Sequence, residues 1–437
     1  MNNIMFLARL LVLFSLVCIS CAHSSFEQKQ LKHALDFATS NRLELEILLQ
    51  HYTYDSLKLE AAKFLIRNMP HCYSYQQGGE MDSVKRVRTY YSPFGQIDQT
   101  YARRWGHYTY RNLPKIYDAH IITAEYLIDN IDRAFDNWQK RPWNRSLSFE
   151  DFCEYLLPYR IGDEPLEEWR ELYEKKYGYL LDSIYKGSDV VEAANLVSRH
   201  LQEPVFIYCE DFELPHIGPR YLFSHRYGSC VDAADIVTYA FRAVGIPCME
   251  DTDARGGHVW NVVRDTTGRD VPIWYIASEA VRGSRDTGGY KRGKVYRPMY
   301  GFQEEKAAHL GDDWKSMPLL FYHPYMKDVS YAYYPDTLRI LTGIPDDEVC
   351  YLAHFHEAHW WSCACARSAS GKMEIPNLES ELVYLPMKYT KGNYYPSGFP
   401  FWFAGGEINT FLPDWEKTVK VRLYRKYPVY GWLRSFM

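Results

Sequence analysis

The chain has 437 residues and a net charge of −5, close to balanced for its size. No basic stripe runs through it, so nucleic acid is not an expected partner. With 47% apolar side chains, two or three domains can each bury a core. Tyrosine, at 38 residues, is unusually common, which fits a peptide- or sugar-binding surface and equally fits ordinary cores.

At the amino terminus, Leu10 to Ile19 is apolar and follows Arg9. The run is too short to cross a bilayer as a helix and fits the apolar region of an export signal. It ends Cys18-Ile19-Ser20-Cys21, a small residue just before a cysteine, similar to the cleavage box of bacterial lipoproteins. The expectation is that residues 1–20 are a signal peptide and that Cys21 carries a lipid. The protein would then be anchored in the bacterial cell envelope, at the outer membrane. An ordinary signal peptide cut near Ala22 is the alternative. The remaining cysteines are scattered, and the chain is large enough not to need staples, so free buried thiols are expected.

Residues 21–204 read as a helical domain. Asn41 with Glu44 forms a capping-box pattern opening a helix through Leu49. Asp55 is placed to cap the next, with Leu57, Ala61, Phe64 and Leu65 on one apolar face and Pro70 as its stop. A long helix is predicted from Ala119 to Trp138. Ser148 with Asp151 marks another start and Pro158 its end, and two helices follow over Leu166–Ile184 and Ser188–Leu201. Between Met81 and Lys115 periodicity fades and a loop is predicted. Residues 205–324 change to a helix followed by strands. Residues 325–437 are strand-like, with strands at Val329–Tyr334, Val349–Phe355, Trp360–Ala366, Glu381–Pro386 and Val419–Tyr424. Ser370-Gly371, Lys391-Gly392-Asn393 and Gly405-Gly406 supply turns. The expected fold class is α+β: a helical domain, a central core, and a carboxy-terminal antiparallel β-sandwich.

The chemistry concentrates in Arg226-Tyr227-Gly228-Ser229-Cys230-Val231-Asp232. Ser229 can cap a helix, with Asp232 closing a capping box. Ala234, Val237, Phe241 and Val244 follow Cys230 at helical spacing, and Gly245 and Pro247 end the run. Cys230 therefore opens a helix, where partial positive charge favours a thiolate and unpaired N–H groups can hold an oxyanion. Gly228 leaves room for a close backbone approach. Downstream, Gly256-Gly257-His258-Val259-Trp260-Asn261-Val262-Val263 alternates like a strand, with a turn at Asp265–Gly268 and a return strand over Val271–Ile276. His258, Trp260 and Val262 share one face. If that face packs on the Cys230 helix, the imidazole can activate the sulfur. Taken singly, a cysteine near a helix start is an ordinary small core residue and a histidine after Gly-Gly an ordinary structural one.

In combination, Gly-Ser-Cys-x-Asp, Arg242-Ala243-Val244-Gly245-Ile246-Pro247 and Gly257-His258-Val259-Trp260-Asn261 resemble the transglutaminase-like (papain-like) superfamily. The flanks, such as Asn41–Glu46, Phe64–Met69, Gly293–Arg297 and Arg425–Pro428, resemble exported transglutaminase-like lipoproteins of Bacteroidota. The resemblance implies a central transglutaminase-like core, Cys230 as nucleophile and His258 as base. Gly228, Ser229 and Trp260 become candidates for oxyanion and substrate contacts, and no cofactor is needed. It also implies a third acid near Trp274 to Glu279. The sequence there is Trp274-Tyr275-Ile276-Ala277-Ser278-Glu279, with no aspartate, so Glu279 is the nearest candidate and Asp270 a poorer one. The expected activity is a thiol hydrolase or acyltransferase on amide bonds of peptides or glycopeptides, as a peptidase or amidase. The alternative is a degenerate core serving a peptide- or glycan-binding lipoprotein.

Lesser signals carry bland readings. His354, His356, Cys363 and Cys365 have metal-like residue types, but His356-Glu357-Ala358-His359 lacks the H-E-x-x-H spacing and lies in a hairpin, so no metal is assigned. Glu164, Glu167, Glu168 and Glu171 followed by Lys175 and Lys176 read as a paired helix surface.

Overall fold

The structure is a computed structural model. It describes residues 25–89, 109–203, 206–208, 214–255, 257–275, 278–285, 291–303, 317–341, 344–356 and 359–417. The signal segment, Cys21, Cys209 and the strand expected at Val419–Tyr424 lie outside these residues. The architecture is α+β, with helices in the amino-terminal half and antiparallel strands towards the carboxy terminus.

The main helices of the first half include α1 (Arg42–His51), α2 (Ser56–Asn68), α3 (Ala124–Lys140), α4 (Phe149–Tyr155), α5 (Arg170–Tyr179) and α6 (Val190–Leu201). Several caps follow the sequence. Asp55 accepts from Lys58 N at 3.1 Å, and Ser148 accepts from Asp151 N at 3.0 Å. The pair Asn41 and Glu44 acts across the fold instead. Asn41 donates to Ala119 O and Ile122 O, and Glu44 accepts from Ala124 N at 2.7 Å, serving the start of α3 rather than its own helix. Leu57 is exposed, so the apolar face of α2 rests on Ala61, Phe64 and Leu65. The predicted loop after Met81 instead opens with a helix, Gly79–Thr89, whose weak apolar stripe hid it from periodicity.

α7 (Cys230–Ala243) is the hub. It packs in one cluster with α5, α6 and a five-stranded sheet. The sheet is antiparallel, in the order β3 (Asp270–Ile273), β2 (Val259–Arg264), β1 (Cys248–Asp253), β4 (Val295–Pro298) and β5 (Met326–Asp328). β5 carries this sheet a few residues past the boundary expected at 324. The carbonyls at the end of α7 lack helical partners and are met by the helical half. Asn137 donates to Ala243 O, Arg141 to Val244 O, and Trp143 and Asn144 to Gly245 O. Gly245 has φ +81° and a Cβ there would stand 2.7 Å from Asn137 O, so only glycine fits this junction.

Two short strand pairs, Tyr73–Tyr75 with Lys115–Tyr117 and Ile207–Tyr208 with Tyr227–Gly228, lie earlier in the chain, and the described strands after Met326–Asp328 form two further sheets. β6 (Asp336–Leu341) pairs with β9 (Lys372–Leu378). β7 (Val349–His356), β8 (His359–Arg367), β10 (Leu382–Thr390), β11 (Asn393–Pro396), β12 (Phe401–Ala404) and β13 (Glu407–Thr410) form the larger one. Both contribute to one apolar cluster that includes Leu338, Leu352, Met373, Ile375 and Phe403. The expected strand at Val329–Tyr334 is a short 3-10 turn at Ser330–Ala332, closed by the Asp328 side chain on Ser330 N. Among the described residues Cys72, Cys153, Cys230, Cys248, Cys350, Cys363 and Cys365 are not joined in disulfides. No described helix is long and apolar enough to cross a membrane.

Candidate functional site

Cys230 is the first residue of α7 and is buried. The capping box ahead of it is present, with Ser229 N donating to Asp232 Oδ2 at 2.7 Å. Gly228 is needed by that box. A Cβ there would lie 2.3 Å from Asp232 Oδ2, so the glycine makes space for the folded-back carboxylate.

From α7 the chain turns at Gly245 and returns as β1, and β2 reverses again, so α7 and β2 run in the same direction. Asn261 locks them together. Its side-chain amide donates to Ala234 O at 3.0 Å and Thr238 Oγ1 at 2.9 Å in a buried setting. Cys230 lies one turn below Ala234, about 6 Å along the helix. His258 lies three residues below Asn261, about 10 Å along the strand. Both stand at the same end of neighbouring elements.

The face of β2 that meets α7 is the opposite of the expected one. Val263 belongs to the α7 cluster, while Trp260 and Val262 pack behind the sheet with Met249, Val295, Val329 and Tyr333. His258 has the parity of Trp260, and its ring centroid is 5.6 Å from that of Trp260 and 4.6 Å from that of Trp274. Trp260 is fully buried, donates to Tyr333 OH at 2.9 Å and lies under Arg292, so it is a core side chain and not a substrate wall. Because Gly257 and His258 precede β2, they are held by a turn. Asp253 accepts from Gly257 N at 2.7 Å and Arg255 N at 3.0 Å, and Thr252 Oγ1 donates to His258 O at 3.0 Å.

The candidate third acids point elsewhere. Glu279 is half exposed and pairs with Arg199 of α6 at 2.6 Å. Asp270 is buried against Arg297 at 2.8 Å and Arg264 at 3.1 Å, and accepts from Tyr155. Arg297 also grips Asp251, which accepts from Tyr333 at 2.7 Å. This charge network braces the back of the sheet.

Beside the start of α7 lies a cavity of about 360 Å³. Ser229, Val231 and Asp232 form its edge, while neither Cys230 nor His258 is among its walls. Its floor holds polar residues that motif reading missed. His216 Nδ1 lies 2.9 Å from both oxygens of Asp235, which is fully buried inside α7. Burial opposes charge on His216, but the adjoining Asp235 carboxylate holds its pKa well above the usual histidine range. Burial pushes Asp235 itself up to about 6. Glu250 of β1 accepts from Thr238 at 2.7 Å. Burial, then repulsion from Asp235, pushes it up to about 8. A signal was available: Asp235, Thr238 and Arg242 recur at helical spacing along a helix rich in apolar residues, and Glu250 lies in the strand that follows it.

The acidic surface expected from Glu164 to Glu171 divides. Glu171 pairs with Lys175 at 2.8 Å on the surface, whereas Glu164 is buried and accepts from Ile161 N and Gly162 N beside Arg160. Among the described residues no group of histidine, cysteine and carboxylate side chains is arranged to hold a metal ion. His354 is buried with neither ring nitrogen bonded, and burial lowers its pKa to about 4.

Comparison with known proteins finds no match: no family model, no curated protein and no solved structure is similar to this chain.

Proposed function

We propose that the protein is an exported cysteine-dependent hydrolase or acyltransferase of the transglutaminase-like kind, acting on amide bonds of peptides or glycopeptides. The observation that carries the reading is the Asn261 clamp. It holds α7 and β2 side by side with Cys230 and His258 at the same end. The helix start supplies partial positive charge and backbone N–H groups beside the sulfur. The His258 parity is that of the rear face, so this reading requires the imidazole to reach the thiol around the end of β2.

Cys230 attacks the amide carbonyl as its proton passes to His258. The Cys230 N–H stabilises the oxyanion. Collapse expels the amine, which takes the proton from His258 and leaves a thioester. Water then attacks, with His258 again accepting the proton, and the acid and free thiol are released. An amine in place of water gives acyl transfer; water is the abundant acceptor outside the cell. The chemistry needs no cofactor. In this reading the sheet around α7 is the transglutaminase-like core, the last strands form a β-sandwich, and a lipid on Cys21 anchors the protein in the outer membrane.

A second reading, a binding protein on a degenerate core, is favoured by one observation: Glu279 is engaged by Arg199, on the surface. The alkylation rate of Cys230 against pH, in wild type and His258→Ala, separates the two. A working pair gives fast labelling at pH 6 that the substitution slows. Labelling that rises only above about pH 8 and ignores His258 supports the binder.

A further inference from the structure

The cavity beside α7 has a charge pattern that the thiol chemistry does not use. Four carboxylates line it, Asp163, Asp232, Glu250 and Asp251, together with Arg160, Arg242 and His216. Most are matched. Arg160 is bound by Asp118 and Glu164, Asp251 by Arg297, and His216 by Asp235. Asp232 caps α7, and Asp163 accepts from His216 N. Arg242 gives its donors to carbonyls and to the Met249 sulfur.

Glu250 is left over. It is only 8% exposed, and its one bond is from Thr238 to Oε1. Its other oxygen has no hydrogen-bond partner among the described residues, and the side chain lines the cavity. Half of the acceptor capacity of this nearly buried carboxylate therefore opens onto the cavity, where a bound donor can complete it. Above this floor the walls are apolar and aromatic, including Tyr73, Tyr110, Leu319, Leu320, Met326 and Tyr325.

We propose that this cavity binds an organic ammonium ion, a primary amine carried on an apolar or aromatic body, with the Glu250 carboxylate as counter-ion. The amine supplies the missing donor to the free oxygen, and the body covers the apolar walls. The site stands apart from the reaction proposed above, since it needs neither Cys230 nor His258. Binding is coupled to proton release. Empty, Glu250 holds its proton near neutral pH, because burial and Asp235 push its pKa up to about 8. Asp235, Tyr239 and Arg242 face it from α7, His216 from the opposite loop, and Cys248 from its own strand. The ammonium expels that proton and takes its place.

The test is calorimetric titration of the full chain with 2-phenylethylamine and with uncharged 2-phenylethanol, from pH 6 to pH 8, in buffers of different ionisation enthalpy. The amine is expected to bind in preference to the alcohol, to release close to one proton at pH 7, and to gain about 50-fold in affinity between pH 6 and 8. Glu250→Gln is expected to abolish the proton release and weaken amine binding at least tenfold. Equal binding of amine and alcohol, absence of amine binding, or binding without proton release in the wild type overturns the proposal, whether or not the variant folds. A folded variant that binds the amine as the wild type does overturns it as well.

Discussion

Replacing Glu250 by glutamine is expected to stabilise the protein, and by an amount that depends on pH. In the unfolded chain the carboxyl titrates at its ordinary value of 4.5, and in the fold at about 8. Above pH 4.5 the unfolded state loses its proton while the folded state keeps it. The folded state then binds more protons, and stability falls as pH rises. The penalty is absent below 4.5, grows through the window between the two values, and is complete above 8. Worked from those values, it is about 1 kcal/mol at pH 5, about 3 kcal/mol at pH 7 and about 4 kcal/mol at pH 8. Relaxation of the surroundings makes these upper bounds. Glutamine keeps the acceptor for Thr238 Oγ1 and cannot ionise, so the penalty disappears with it.

The assay is urea unfolding of both proteins at each pH, with stability taken from midpoints at matched slopes. The quantity of interest is the difference between the two, which cancels the other titrating groups. It should rise in favour of glutamine by about 2 kcal/mol from pH 5 to 7. A difference that stays flat within about 0.5 kcal/mol over that range refutes the assigned shift, and with it the view that Glu250 is protonated at neutral pH.

Three further substitutions test the frame around Cys230. Gly228→Ala would drive a Cβ into the Asp232 side chain, 2.3 Å away, and evict it from the capping box. A loss of about 2 kcal/mol in unfolding stability and slower Cys230 alkylation are expected. Asn261→Leu removes both clamp bonds and forces a branched apolar side chain against the polar flank of α7, where Thr238 still bonds Ala234 O and Glu250. It should cost about 2–4 kcal/mol in the same unfolding assay, and the alkylation rate should drop as α7 and β2 lose their register. Glu279→Gln breaks an exposed pair with Arg199. Stability should change by no more than about 0.5 kcal/mol and alkylation not at all; a large fall in alkylation would return Glu279 to the reacting group.

Local signals were legible where the physics is local. The caps at Asp55 and Ser148 act within one turn of their own helices, and the Ser229–Asp232 box opens α7 as its spacing required. The turns at Ser370-Gly371, Lys391-Gly392 and Gly405-Gly406 take positive φ, as their glycines favour, and carry Ser370 and Lys391 into it as well. Signals failed where a side chain had a better partner far away. Asn41 and Glu44 have the letters of a capping box, yet both are spent on the start of α3, about eighty residues on. The facing of β2 failed for a related reason. Alternation says that Trp260 and Val262 share a side but not which side meets the helix, because this sheet is buried on both. Asn261, the polar residue on the helix side, was the clue, since an amide inside a buried strand needs partners and a helix flank with a threonine supplies them.

The same reasoning bears on what orients His258. A reacting imidazole needs a fixed ring, and an acid is one way to fix it. Here the fixed elements are different. Thr252 and Asp253 hold the backbone of the turn before β2, and Trp260 and Trp274 flank the ring. The nearby carboxylates already have cations or backbone amides: Asp253 its own turn, Asp270 two guanidinium groups, Glu279 Arg199. The aromatic walls and the turn backbone hold the ring by packing, and the charge of Asp253 at that turn is a second contribution that can be separated from it. Asp253→Asn therefore discriminates between packing and charge. It keeps an oxygen for the Gly257 and Arg255 amides but removes the negative charge. If packing sets the geometry, labelling of Cys230 at pH 6 changes less than threefold. A fall of a hundredfold with the fold intact would make the Asp253 charge, and not the turn it builds, the property that the site requires.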